Sequence, residues 1–267
     1  MAATLTSIQT QAADPEHVIR PVTSAWTAGI GSSHLADTYL SPLKYKGVSA
    51  SICYERMQAS PWSPENWVMQ LKAGAEMDRT ENPARNATMW ALQLHASWGA
   101  MHRWTLPCGL RLGIGPALRL EGGCIYNARN SNNPASAKAA VTFDAIAYAA
   151  MDVKLWRLPV TLRYQPSMPV IGAFFSPEYD ELYYELYLGN HSGVVHPAWW
   201  GNRFKLDNLV TADLHFGSTA LRLGYEYNWM SSRACNLTTR MITHRFILGV
   251  TVDWVSHKPS KKTVNPF

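Results

Sequence analysis

The 267-residue sequence predicts an all-β chain folded as an antiparallel transmembrane β-barrel, with twelve strands expected and ten as the fallback. Three observations carry this expectation. Apolar and polar residues alternate with a dominant period of two rather than 3.6. The apolar faces are about nine to eleven residues long, the length of a tilted strand that crosses a bilayer. Tryptophan and tyrosine gather at strand ends (Trp67, Trp90, Trp98, Trp156, Tyr184, Trp229, Trp254), where an interfacial girdle would need them. A soluble β-sandwich would alternate in the same way with its apolar face inside. The polar face here mixes glycine and small residues with many charges, as a crowded lumen would, so the apolar face is read as the outer one.

The strands are expected near 22–31, 45–57, 66–79, 88–102, 109–122, 137–153, 158–167, 180–190, 206–216, 218–230 and 239–255. In the third, Trp67, Met69, Leu71, Ala73, Ala75 and Met77 oppose Gln70, Lys72, Gly74, Glu76 and Asp78. The fourth sets Trp90, Leu92, Leu94, Ala96 and Trp98 against Gln93, His95, Ser97 and Gly99. In the fifth, Leu112, Ile114, Leu118 and Leu120 oppose Arg111, Gly113, Gly115, Arg119 and Glu121. The sixth and the last two repeat the pattern, ending in Phe246, Leu248, Val250, Val252 and Trp254 against Arg245, Gly249, Thr251 and Asp253. Eleven strands cannot close with both termini on one side, which requires an even number. Alternation of short connectors (103–108, 154–158, 217–218) with long ones (32–44, 80–87, 123–136, 168–179, 231–238) places a twelfth strand between about 191 and 201. The flanks divide into an N-terminal periplasmic tail or plug, 1–21, the barrel, 22–255, and a basic C-terminal tail, 256–267.

Composition excludes other classes. Charged residues are 16% and apolar residues 47%, with 24 Lys+Arg against 19 Asp+Glu, so neither disorder nor nucleic-acid binding is expected. Mean hydropathy is −0.16 and no run of 18 apolar residues occurs, which excludes a helical membrane protein. Met1 to Pro15 carry no signal-peptide pattern, so the barrel reading implies a signal already removed. Cys53, Cys108, Cys124 and Cys235 show no metal-ligand spacing. No metal site and no cofactor are expected, and the thiols are either all free or Cys124 pairs with Cys235.

The segments Tyr39–Gly47, Asp78–Trp90, Leu158–Pro166 with Val170–Pro177, and Glu185–Gly193 followed by Trp199–Asn202 resemble an uncharacterised family of outer-membrane β-barrel proteins from Bacteroidota. The resemblance implies fold and location, the outer membrane of a Gram-negative bacterium, and brings no activity with it.

Two sets of residues are candidates for function. Asn190, His191, Ser192 and Gly193, with His196, Trp199, Asn202 and Arg203 after them, distantly resemble the outer-membrane phospholipase A pattern. That resemblance implies Ser192 as nucleophile, His191 as base and Asn202 as orienter, and a Ser192–His196 pair across a loop is an alternative geometry apart from it. His191 and Ser192 are adjacent, however, and strand neighbours point to opposite faces. The strand parity also puts 189–193 at a periplasmic turn, where Asn190 and Gly193 would supply turn conformations. The second set is the inward charges: Lys72, Arg111, Arg119, Arg163, Arg222 and Arg245 beside Glu76, Asp144, Glu185, Asp213, Glu226 and Asp253, with His95 and His215. Balanced signs predict interlocking ion pairs that fill a narrow barrel, because each buried charge needs a partner. The connector 165–179 is apolar for a loop and is expected to cap the lumen or to pack on another envelope protein through 166–177. The expected partners are therefore membrane lipids and one such protein. The expected function is a non-enzymatic envelope scaffold, assembly partner or narrow small-solute passage, with a lipid or ester hydrolase as the rival.

Overall fold

A computed structural model describes residues 19–131, 133–177, 188–189, 193–254 and 264–266. It contains eleven strands: β1 (Val22–Asp37), β2 (Tyr45–Ala59), β3 (Trp67–Glu81), β4 (Thr88–Thr105), β5 (Arg111–Asn127), β6 (Ala135–Leu155), β7 (Leu158–Phe175), β8 (Val195–Ala198), β9 (Arg203–Phe216), β10 (Thr219–Ala234) and β11 (Leu237–Trp254). Ten of them form a closed antiparallel ring. Neighbours in sequence pair in order from β1 to β7, β7 pairs with β9, then β10 and β11 follow, and β11 returns to β1 from Val22↔Trp254 to Asp37↔Thr239. Closure removes every exposed sheet edge, which a backbone in hydrocarbon requires.

The ring has ten strands, as in the fallback, and not twelve. β7 and β9 pair directly from Val160↔Leu214 to Ser167↔Asp207, which leaves no place between them for a crossing strand at 180–190. That segment, except 188–189, lies outside the described residues. The strand expected between 191 and 201 is β8, four residues long, which pairs only with the end of β7 (Gly172↔Ala198 to Phe175↔Val195). Removing both extra crossings keeps the number even, and the place of the segment between β7 and β9 changes. The termini share one end with the connectors 60–66, 106–110, 156–157 and 217–218, and residues 176–177 and 193–202 lie at the opposite end. Gly193 is therefore at the end away from the termini, not at the periplasmic turn that strand counting assigned to 189–193, and residues 190–192 lie outside the described residues.

The apolar stretch read as a connector is also a strand through Phe175. Pro166 and Pro169, which lack the N–H of a ladder, mask it in the sequence. The register shifts between Phe143 and Asp144, and the partners step from Pro169 to Ile171, so Val170 is the extra residue of a bulge that absorbs the proline. Two-residue turns close β6–β7 at Trp156 (φ 58°) and Arg157, and β10–β11 at Cys235 (φ 48°) and Asn236 (φ 61°). Positive φ in these turns matches the strand twist. All four cysteines are free thiols.

Exposure decides which face is outside. Ile30 is 69% and Phe246 72% exposed, whereas Arg222 is 1% and Arg245 0% exposed. Apolar side chains thus cover the outer wall, and charges occupy the lumen, as in a membrane-spanning barrel. Apolar clusters flank those charges. Met57, Val68, Met101, Ala117, Ile146, Tyr148 and Ala150, all from β2–β6, pack on one side near the termini. On the other side of that end a polar pocket of about 530 Å³ opens, lined by Thr23, Arg163, Asp213 and Asp253 among others. Leu35, Tyr39, Leu40, Tyr45, Met89, Ile125 and Met241 close the far end. Near the termini Val264 N–H donates to Ile19 O at 2.9 Å, and Arg103 Nη1 donates to Asn265 O at 2.5 Å. Residues 1–18, 255–263 and 267 of the predicted tails lie outside the described residues.

Glycine has a packing role in the termini-side cluster. The Tyr148 ring stands 2.2 Å from where a Cβ at Gly113 would sit, whereas nothing lies within 4 Å of one at Gly122. Gly113→Val is expected to destabilise the barrel by about 1–3 kcal/mol, the usual range for overpacking. Gly122→Ala is expected to change stability little. Unfolding temperatures in SDS, read from gel mobility, compare the two, and equal shifts would refute the packing role.

Candidate functional site

The inward positions of all ten ring strands contribute to a polar network in the lumen. Its first knot is Glu55 on β2. Its carboxylate accepts from Arg163 Nη2 at 2.5 Å, Arg222 Nη1 at 2.7 Å and Gln70 Nε2 at 2.7 Å, with Lys72 Nζ 3.8 Å away. Arg163 and Arg222 come from β7 and β10, so these bonds cross the lumen. Arg222 also makes a bidentate pair with Asp213 on β9, with Nε and Nη2 each at 2.7 Å. Planar guanidinium suits this sharing, since its fixed fork can bind two carboxylates at once.

The second knot joins β5 to β9. Arg119 Nη1 donates to Asp207 at 2.5 Å and lies 3.3 Å from Glu121, and its Nε is 2.9 Å from Asp144. Glu121 accepts from Arg203 Nη2 at 2.5 Å and from Lys205 Nζ. Asp144 takes a further bond from Thr142 Oγ1 at 2.6 Å. The third knot is Arg245 on β11, whose Nε and Nη1 reach Glu226 and Glu76, both at 2.8 Å, with Ser49 Oγ at 3.1 Å. His95 Nδ1 is 3.7 Å from Glu76. Towards the far end Asp37 pairs with Lys138 Nζ at 2.7 Å. At the termini end Arg111 grips Asp152 with two bonds of 2.6 and 2.7 Å, and Thr161 links Asp152 to His215. Asp253 accepts from Thr23 Oγ1 at 2.6 Å.

Inside the network remains a cavity of about 70 Å³, lined among others by Glu55, Lys72, His95, Arg119 and Asp207. That is room for a few waters, not for a substrate. Among the described residues no group of three His, Cys, Asp or Glu is arranged to hold a metal ion. With cations shared between carboxylates, the arrangement is suited to binding opposite walls together.

Lys72, Glu76, Arg111, Arg119, Asp144, Arg163, Asp213, Arg222, Glu226, Arg245 and Asp253 therefore all take part in lumen contacts. Glu185 lies outside the described residues, as does Glu181. The inward charges named from the sequence left out Glu55, Arg203, Lys205, Asp207 and Asp37, and also Glu121 and Lys138, which alternation puts on the polar faces of their strands. Glu55 was legible in the alternation Ser49, Ser51, Cys53, Glu55, Met57. Arg203 and Lys205 were not, because β9 was expected to start only at 206.

His191 and Ser192 lie outside the described residues. His196, on β8, has Nε2 2.9 Å from Ser176 O and 3.8 Å from Cys235 Sγ, with its ring against Phe174. Asn202 bonds its own turn with both side-chain atoms, accepting from Trp199 N–H at 3.0 Å and donating to Pro197 O at 2.6 Å. The structure does not bring Asn202 and His196 into contact through these atoms.

Among solved structures, the chain is similar to the Neisserial surface protein A (12% identity over 86% of this chain and 96% of that one, TM-score 0.36). It is similar also to the outer membrane protease OmpT from Escherichia coli (6% identity, 88% and 97% covered, TM-score 0.44). A third is the translocator domain of the autotransporter NalP from Neisseria meningitidis (10% identity, 91% and 90% covered, TM-score 0.38). No curated protein matches the chain by sequence. The family match spans nearly the whole sequence: the model described as "Protein of unknown function (DUF3316)" matches residues 1–261, and the chain belongs to that family.

Proposed function

We propose that the protein is a plugged barrel of a Gram-negative outer membrane, from the Bacteroidota on the resemblance of its segments, that serves as a non-enzymatic envelope scaffold or assembly partner. The observation that carries this reading is the filled middle of the lumen, where cross-barrel ion pairs leave a cavity of about 70 Å³ beneath the apolar cluster that closes the far end. A passage for solutes would need a continuous wet path, and the selective pores that exist line it with one dominant sign of charge. Here both signs alternate and neutralise each other. A lipid hydrolase built on Ser192 would need an uncommitted imidazole and a free Asn202 to orient it. His196 on β8 instead contacts the Ser176 carbonyl and Asn202 that of Pro197 in its own turn, which favours the scaffold.

Planar-bilayer recording of the refolded barrel tests this reading. The expected trace carries no discrete conductance steps at any holding potential. Reproducible unitary steps from the wild-type chain would overturn the plugged lumen and with it the scaffold assignment.

A further inference from the structure

The outer wall of the barrel is charged on one side only. At the end away from the termini, β10, β11, β1, β2 and β3 point Arg233, Arg240, His34, Lys46 and Arg79 outward. The strand register makes them a continuous strip: Arg240 stands opposite Ala36, His34 opposite Lys46, and Lys46 opposite Glu81. Glu81 is the one acid in the strip, and Arg79 Nη2 neutralises it at 2.9 Å. Arg233, Arg240 and Lys46 are exposed, and among the described residues no carboxylate pairs with them. At the same end of β4, β5, β6 and β9 the outward residues are uncharged: Trp90, Tyr126, Ala137, Ala139, Phe204 and Leu206.

The strip lies at the upper edge of the apolar belt. Ten residues separate Val250 from Arg240 along β11. At about 2.6 Å of axial rise each for a tilted strand, they span about 26 Å, the height of such a belt. Below the strip, on three of these five strands, β10, β11 and β1, Ala28, Ile30, Leu223, Phe246 and Leu248 line an apolar trough of about 470 Å³. Between trough and strip, His244 is held by Tyr225, whose hydroxyl is 2.7 Å from Nδ1. Cations over a trough for hydrocarbon, at headgroup height, form a two-part surface.

We propose that this wall is a binding site for an acylated, phosphate-bearing lipid of the outer leaflet, its phosphates on Arg233, Arg240 and Lys46 and an acyl chain in the trough. The proposal rests on the outer-membrane reading above. Guanidinium and ammonium groups bind phosphate at this depth without crossing the belt, and with Glu81, the acid opposite Lys46, engaged by Arg79, their charge is available.

The test uses the full chain in dodecylmaltoside micelles, titrated with bis-phosphorylated lipid A and, separately, with its dephosphorylated form, with bound lipid counted by native mass spectrometry. Phosphorylated lipid should bind with clear preference. Replacing Arg233, Arg240 or Lys46 singly by alanine should weaken it about fivefold, and the triple variant about a hundredfold. Arg240→Lys should keep most of the affinity. Equal binding of both lipids, or an unchanged triple variant, would overturn the site. Inorganic phosphate competing at low millimolar concentration would show a soluble-anion site and also overturn it. Each variant is first checked for a boiling-dependent gel shift: loss of the shift in wild type would reject the membrane barrel itself, a separate failure.

Discussion

Glu55→Ala should be the most damaging single substitution in the lumen, costing about 3–5 kcal/mol, the range seen when one partner of a buried ion pair is removed. The carboxylate is 5% exposed and holds Arg163, Arg222 and Gln70 at once. Its loss leaves two guanidinium groups, side by side on the β7–β9–β10 wall, without the carboxylate that reaches them from β2 across the lumen. Glu55→Gln should cost less, because its amide keeps the shape and one acceptor while the charge is gone. The control is Glu81→Ala, which removes the half-exposed pair with Arg79 on the outer wall and should change stability by less than about 1 kcal/mol. Urea unfolding in micelles, followed by tryptophan fluorescence, measures all three. Similar midpoints for Glu55→Ala and Glu81→Ala would show that the lumen network contributes nothing special to stability.

Leu94→Arg should cost about 2–4 kcal/mol in a bilayer, the penalty for a cation at mid-depth on a lipid-facing strand. Leu94 is 53% exposed and lies midway between Trp90 and Trp98 on the outward face of β4. The same substitution in a water-soluble sandwich would strand a charge in the core if Leu94 were buried, and would be harmless if it were exposed. The discriminating measurement is therefore the comparison of media. Destabilisation in phosphatidylcholine vesicles that shrinks in a loose detergent micelle is the expected result. Identical cost in both would contradict a lipid-facing β4.

The strands were legible wherever water stood on one side and hydrocarbon on the other, because that contrast writes a period of two into the sequence. β3, β4, β5, β6 and β11 could be read to within a few residues for this reason. Beyond the belt the contrast fades. β1 continues to Asp37, past the expected end at 31, because Ser32 and His34 face outward into polar surroundings while Leu35 turns inward to the far-end cluster. β7 was cut short by its prolines, whose missing N–H groups are accommodated by a bulge that only the neighbouring β6 reveals. Of the site, the inward charges could be listed from alternation, but not their partners. Glu55 and Arg222 are 167 positions apart, and no local pattern connects them.

Alternation, belt length and aromatic placement by themselves determined that the chain is a barrel with apolar residues outside and charges within. These are one-dimensional consequences of putting a strand between two solvents. The number of strands, the end at which β7 finishes and β9 begins, the pairing of charges across the lumen and the basic strip on one wall were decided only by tertiary structure. Each depends on which strands become neighbours when the sheet closes. That neighbour relation is set by hydrogen-bond register around the ring, where β7 meets β9 and β11 meets β1, and it leaves no periodic trace along the chain.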